Sequence, residues 1–345
     1  MSDDSGGEDA LVRAIRALTA TPAGGGVRVG IGDDCAVLEP RPDTALLATT
    51  DLLVEDIHFR RRWAEPADIG WKSIAVNLSD IAAMGGCPRW ALIALALPEG
   101  TSAEEVEAFY EGALALARAH DVTIAGGDTS ASPHGWIVNV TLLGDAVAPR
   151  LRSTARPGDA VAVTGALGRS AAGLAVLERE TAPAGVGAVQ LAEVTGAHLR
   201  PRPRVAEGQW LAAAGGVTAM MDLSDGLGLD LPRLLSESAA GATVDVDRLP
   251  IDAATRAVAG AMGADPAAWA TGGGEDYELL LTCEAAALER LQRGLAAACG
   301  TRLTPIGEIT AGAAAVRWTS RGREVAVAHG FEHLAARPAA GGART

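Results

Sequence analysis

Lysine is all but missing from this sequence: of its 29 basic residues one, Lys72, is a lysine. That residue lies outside any G-x-x-x-x-G-K-[ST] arrangement, which excludes a P-loop nucleotide site. Bases of either kind are outnumbered by 43 acids, for a formal charge of −14. The balance argues against a nucleic-acid backbone as the main partner, since phosphate contacts need clustered Lys and Arg. Aromatics are scarce at 3%, so alanine, leucine and valine must fill most of the core implied by 48% hydrophobic content. The four cysteines, Cys35, Cys87, Cys283 and Cys299, show no metal-ligand spacing and are expected to be reduced, buried thiols. No apolar run is long enough for a bilayer, and MSDDSGGEDA lacks the apolar stretch of a secretory signal. The expectation is a cytoplasmic globular protein with neither a nucleic-acid nor a membrane partner.

What is present is glycine, 42 of 345 residues, spread through a chain long enough for two domains. Period-2 strands alternate with amphipathic helices throughout, which predicts an α+β protein. Strands are expected at Ala45–Thr50, Trp90–Leu97, Val122–Ala125 and Trp136–Leu143, and helices at Pro66–Met84 and Ser102–His120. Ile74, Leu78 and Ile81 share one face of the first helix; Ser73, Asn77, Asp80 and Met84 share another. Ser102 and Glu105 form a capping box for the second. The basic, proline-containing stretch around 149–159 reads as a domain boundary. Domains at 11–148 and 149–335 follow, with disordered tails at 1–10 and 336–345. Beyond the boundary come a strand at Ala160–Thr164, a turn TGALGRS, a helix from about Ser170, and the stiff connector HLRPRPRV. A further strand ends at Met221, a helix follows Gly226, and Tyr277–Thr282 is another strand.

Five stretches place aspartate at a strand end or on a helix face beside glycine: GIGDDCAVL, TTDLLVEDIHF, NLSDIAAMGG, AGGDTS and MDLSDGL. Any one reads as an ordinary turn. Their repetition is what one builds to bring carboxylates to one rim. Converging, Asp34, Asp51, Asp80, Asp128 and Asp222 could not all stay ionised without a cation, because like charges at close range repel. All-oxygen ligation selects Mg²⁺ or Mn²⁺ over zinc, and Mg²⁺ completes its shell with water and substrate phosphates. The pattern points to metal-assisted phosphoryl transfer. One glycine-rich stretch does not fit a phosphate cradle: TGGGEDYELLL, from Thr271, runs from glycines straight into Glu275 and Asp276.

Taken together, GDD, TTDLLVEDIHF, NLSDIAAMG, GGDT, DLSDGL and GGEDYEL resemble, in order and spacing, the thiamine-monophosphate kinases of the aminoimidazole ribonucleotide synthetase-like superfamily. The resemblance covers nearly the whole chain. It implies transfer of the γ-phosphoryl group of ATP to thiamine monophosphate, giving thiamine diphosphate and ADP; an acceptor oxygen that is already anionic fits direct in-line transfer without a covalent intermediate. It also implies a two-domain α+β fold whose N-terminal domain pairs with its copy in a homodimer. Asp34, Thr49, Thr50, Asp51, Asp80, Asp128, Asp222 and Asp225 match positions that hold several Mg²⁺ ions or support their shells. Tyr110, Gly127, Asp128, Arg152 and Ser224 match ATP contacts; His58, Glu275 and Phe331 match substrate contacts. Plainer readings stand beside some of these. Tyr110 also fits a helix-core aromatic, Arg152 a solvated linker charge, and His58 a strand-end histidine. The arginines of HLRPRPRV read as solvated charge, and the amides of TGALGRS either face an anion or form a plain turn. A relative acting on another phosphorylated heterocycle and a non-catalytic Mg²⁺/nucleotide sensor are the alternatives.

Overall fold

The computed structural model describes residues 8–19, 25–31, 35–179 and 181–332. Helix α1 (Glu8–Thr19) begins inside the stretch 1–10 expected to be a tail; residues 336–345 and Asp34 lie outside the described residues. A small ribbon of β1 (Val27–Val29) and β2 (Val37–Leu38) follows.

The first sheet is built from β3 (Ala45–Val54), β4 (Cys87–Pro98), β5 (Thr123–Ser132) and β6 (Ile137–Ala146), in the order β3–β6–β4–β5. Helices α2 (Pro66–Ala83) and α3 (Ala103–Ala119) pack together and cover one face. β4 and β5 are parallel, so the chain must cross over between them, and α3 makes that crossing behind its Ser102–Glu105 capping box. Alternation along β3 separates the faces: Leu47 and Leu53 are buried, while Leu46, Ala48, Thr50 and Leu52 are exposed. Several strands outrun their sequence expectation. β5 continues through Gly126, Gly127 and Asp128 to Ser132 because β4 pairs with it along that length.

In the second half the elements are β7 (Ala160–Thr164), α4 (Arg169–Leu177), α5 (Ala188–Leu199), α6 (Val205–Ala214), β8 (Val217–Asp222), α7 (Leu227–Ser238) and β9 (Gly241–Asp245). Then come α8 (Ala253–Met262), α9 (Pro266–Gly272), β10 (Leu279–Cys283), α10 (Leu288–Cys299), β11 (Leu303–Thr310), β12 (Val316–Ser320) and β13 (Arg323–Glu324). The strands form one sheet, β13–β12–β9–β11–β7–β10–β8, antiparallel except where β12 meets β9. β7 and β10 are buried at every residue, which is why AVAVT and LLLTC show little alternation.

Helix α2 joins the two halves. Besides the first sheet it touches α6 and β8, and one apolar cluster containing Ile74, Leu78, Leu211, Val217 and Met220 runs through the junction. Its neighbours come close through glycine. A Cβ on Gly112 would stand 1.9 Å from the Ala67 carbonyl oxygen, and one on Gly208 would stand 2.1 Å from that of Ala82. The cysteines depart from expectation: all four are free, but only Cys283 is buried, and Cys35 is exposed. Among the described residues no helix is long and apolar enough to cross a membrane. Gly112→Ala should force α2 and α3 apart and lower unfolding stability by about 1–3 kcal/mol, the usual cost of overpacking. Urea titration checks this; an unchanged midpoint would show that the crossing has slack.

Candidate active site

Along β3, Thr49 and Asp51 share the α2-facing side with Leu47 and Leu53. There the Thr49 hydroxyl donates to the carboxylate of Asp80, near the end of α2. One residue earlier, Ser79 donates at 2.7 Å to Asp222, the last residue of β8. The chain leaves β8 through Leu223-Ser224-Asp225 and enters α7, where Asp230 accepts from the amides of Asp225 and Gly226 at 2.9 and 3.1 Å. Arg233 bridges Asp225 and Asp230. Strand β3, helix α2, and the end of β8 with the turn that follows it thus deliver Asp51, Asp80, Asp222 and Asp225 to one place.

These carboxylates raise one another's proton affinity. Burial, then the charges of Asp80 and Asp225, pushes Asp51 up to about 7. Asp222 is raised by burial first and by Asp80 next, against the Ser79 hydrogen bond. Burial also raises Asp80, while the Thr49 hydrogen bond and the charge of Arg152 pull it back. Such a cluster calls for a cation, and its donors are all oxygen. Among the described residues no three acids, histidines or cysteines converge tightly enough to enclose an ion alone. Mg²⁺ keeps waters and takes further oxygens from a phosphate ligand, so it does not need three protein donors at one point. The donor set therefore fits Mg²⁺, with Asp51, Asp80, Asp222 and Asp225 as the residues that would hold it.

The glycine-rich stretch packs beside the cluster. Glu275 and Tyr277 donate their amides to the carbonyls of Ser224 and Leu223 at 2.7 and 2.9 Å. Both residues have positive φ, 65° and 49°, whereas the three glycines do not. The glycines serve close approach to protein instead: a Cβ on Gly273 would stand 2.4 Å from the Trp269 carbonyl oxygen, and one on Gly274 would stand 2.7 Å from that of Ser224. Each acid of GEDYE has its own partners. Glu275 faces Lys72 at 2.8 Å and His198 at 3.3 Å. Asp276 accepts from the amides of Gly168 and Ser170 at 2.6 and 3.1 Å. Glu278 takes a fork from Arg204, at 2.7 and 2.5 Å, and the Thr164 hydroxyl.

Between these parts lies a cavity of about 510 Å³. Asp51, Ser224, Asp225 and Glu275 supply polar walls; Ile57, Phe59, Trp63, Leu174 and Phe331 supply apolar ones. His58 lines it too, with Nδ1 accepting from the Val54 amide at 3.0 Å. Phe331 arrives because its amide donates to the Asp225 carbonyl at 2.9 Å.

Family models for AIR synthase related protein match the chain in both halves, the N-terminal domain over residues 32–146 and the C-terminal domain over 156–319. Thiamine-monophosphate kinase of Salmonella typhimurium is 39% identical over 321 residues, covering 90% of this chain and 93% of the relative. The chain belongs to the thiamine-monophosphate kinase family. A crystal structure of thiamine-monophosphate kinase from Stenotrophomonas maltophilia is 37% identical and superposes with a TM-score of 0.80, covering 92% of this chain and 98% of that one. A second solved structure, AaThiL complexed with AMPPCP and TMP, is 32% identical with a TM-score of 0.75 and covers 97% and 99%. The two-domain α+β fold implied by the sequence is the fold of this family.

Of the site residues picked from the sequence, Asp51, His58, Ser224, Asp225, Glu275 and Phe331 line one cavity, with Thr49, Asp80 and Asp222 linked to its acidic wall. Others stand apart from that lining. Thr50 is on the open face of the first sheet, bonded to Asn139 and Thr141. Asp128 is exposed on β5, and Gly127 has a packing reason of its own, since a Cβ there would meet the Ile93 carbonyl oxygen at 1.9 Å. Tyr110 is buried edge-on against Phe109, and burial raises its hydroxyl pKa. Arg152 is exposed but near enough to Asp80 to lower its pKa. One expectation is corrected: Arg204 of HLRPRPRV is not solvated but largely buried in its fork on Glu278. The amides of TGALGRS, for which two readings stood, face the protein's own Asp276. The sequence reading missed Lys72 and His198. Nothing in their spacing pairs them with Glu275, 203 residues beyond the lysine.

A carboxylate whose folded pKa lies above its unfolded value favours the fold while protonated. That contribution is complete below about pH 4 and is lost as pH rises through about 7. Mg²⁺ should relieve the resulting repulsion, and protons should compete with it. The rise in melting temperature on adding Mg²⁺ to the free protein is therefore expected to be larger at pH 8 than at pH 6, as read by calorimetry. Equal rises would remove Asp51 from the cation site.

Proposed function

We infer that this protein catalyses ATP-dependent phosphorylation of thiamine monophosphate to thiamine diphosphate. The observation that carries the reading is one cavity lined both by acids of the cluster, Asp51 and Asp225, and by an aromatic-apolar set, Phe59, Trp63 and Phe331, with Glu275 and His58. A phosphorylated heterocycle combines the two chemistries that such a lining can meet, and the relative complexed with AMPPCP and TMP covers almost all of this chain.

In the proposed mechanism Asp51, Asp80, Asp222 and Asp225, with Thr49 as support, would hold Mg²⁺, and Asp34, Thr50 and Asp128 would support further Mg²⁺ ions. Bound there, Mg²⁺ supplies charge neutralisation for the phosphates of both substrates. Ser224, Arg152, Tyr110 and Gly127 contact ATP, and Arg152 adds positive charge beside Asp80. His58, Glu275 and Phe331 orient thiamine monophosphate, with the Phe331 ring against its flat heterocycles. The attacking phosphate oxygen is already anionic at neutral pH, so no side chain must remove a proton first. Positioning is then the main task of this chain. The assigned division of labour places nucleotide and metal binding chiefly in residues 11–148, and the substrate turn in residues 149–335. We assign the protein to the cytoplasm.

A homodimer completes the proposal. The face of the first sheet opposite α2 exposes Leu46 and Leu52 at 56% and 52%, and a second copy would cover it. Leu46→Arg combined with Ala48→Arg should shift the sedimentation coefficient from dimer to monomer; a wild type that sediments as a monomer removes this element.

ADP release should depend on Mg²⁺ and thiamine monophosphate together. Nucleotide binding without such turnover would favour a sensor instead. Asp51→Asn should lower kcat by about a hundredfold or more with an unchanged circular dichroism spectrum; a near-wild-type rate would take Asp51 out of the mechanism.

A further inference from the structure

The chain's one lysine is 3% exposed in the middle of α2. Its ammonium meets both carboxylate oxygens of Glu275 at 2.8 Å and donates to the carbonyl oxygen of His58 at 3.1 Å. A buried ammonium is costly unless paired, and three acceptors match its three N–H groups. Lys72 itself is absent from the cavity wall, yet the two residues it holds both line it. They come from opposite halves of the chain. Glu275 is also strained: its φ of 65° costs a non-glycine residue roughly 1–2 kcal/mol and persists only where the surroundings impose it. On the other side of Glu275, His198 shares its Nδ1 between Glu275 at 3.3 Å and the Ser170 hydroxyl at 3.0 Å. Burial holds that imidazole neutral, with its pKa down to about 4. The positive charge facing Glu275 at contact distance is therefore that of Lys72.

We propose that Lys72 is a positioning residue for the organic half of the substrate, fixing Glu275 and the His58 main chain in one geometry at the cavity wall. Because the lysine neutralises it, Glu275 acts as an oriented hydrogen-bond acceptor and not as a free counter-charge. Such an acceptor selects an N–H group at a defined position, such as an amino group on a pyrimidine ring, whereas a bare carboxylate would accept any cation. The proposal rests on the kinase reading above and assigns how that site distinguishes its substrate.

Steady-state kinetics of wild type, Lys72→Met and Lys72→Arg, with thiamine monophosphate and ATP varied separately, test it. Lys72→Met should raise KM for thiamine monophosphate by about tenfold or more and leave KM for ATP within about twofold. Lys72→Arg keeps the charge on a planar fork and should give a smaller rise in the same constant. A parallel rise in both constants, or an unchanged KM for thiamine monophosphate in folded Lys72→Met, overturns the proposal. Should Lys72→Met not fold, Lys72→Arg decides alone, and equality with wild type overturns it. Calorimetric titration with thiamine monophosphate keeps the two readings apart. If wild type binds it but forms no ADP, the kinase reading falls, and the Lys72 proposal is judged on the variants' dissociation constants. If wild type does neither, both fall.

Discussion

From Lys72 to Ser79 helix α2 has no solvent face, and the site depends on how closely its neighbours shut around it. Glycine sets that closeness on two sides, at Gly112 of α3 and Gly208 of α6, where a methyl group would strike the backbone of α2. A helix so enclosed must place its polar side chains on partners. Lys72, Ser79 and Asp80 accordingly reach Glu275, Asp222 and Thr49, each on a different segment. Packing and chemistry are thus set by the same contacts: a shift of α2 would at once separate Ser79 from Asp222 and Lys72 from Glu275.

Charge is sorted by the same enclosure. Glu275 and Glu278 have strong cationic partners, and Asp276 has two amides. Asp80 and Asp222 each have one hydroxyl, Asp80 has a more distant arginine, Asp51 has the neighbouring acids, and burial raises the proton affinity of all three. Two kinds of acidic site therefore sit side by side across one cavity. The neutralised group suits recognition by hydrogen bonding, and the repelling group suits a divalent cation with its phosphates.

Much of the fold was legible because local rules were strong. The capping box of α3, the bounds of β7 and the apolar face of α2 follow from spacing alone. Strand lengths were less legible. β5 reads as ending before its glycines and aspartate, and only pairing with β4 carries it on to Ser132. In the candidate site, the acids could be picked out as repeated strand-end or helix-face aspartates beside glycine. Their partners could not. Lys72 sits in a helix buried nearly all round, so amphipathic spacing gives its position no meaning.

The glycines of TGGGEDYELLL show where the boundary falls. Sequence alone determines that backbone comes close to something there, since three successive residues lack a Cβ. It also determines the fold family, through motifs spread over most of the chain. Only the tertiary structure decided what the close approach is to, namely the carbonyls of Trp269 and Ser224, and that Glu275 and Tyr277, not the glycines, take the left-handed conformations. The physical reason is that steric exclusion by a Cβ is written in a single residue, whereas electrostatic partnership depends on distance in space. Lys72 and Glu275 acquire that distance only when the two halves of the chain close on α2.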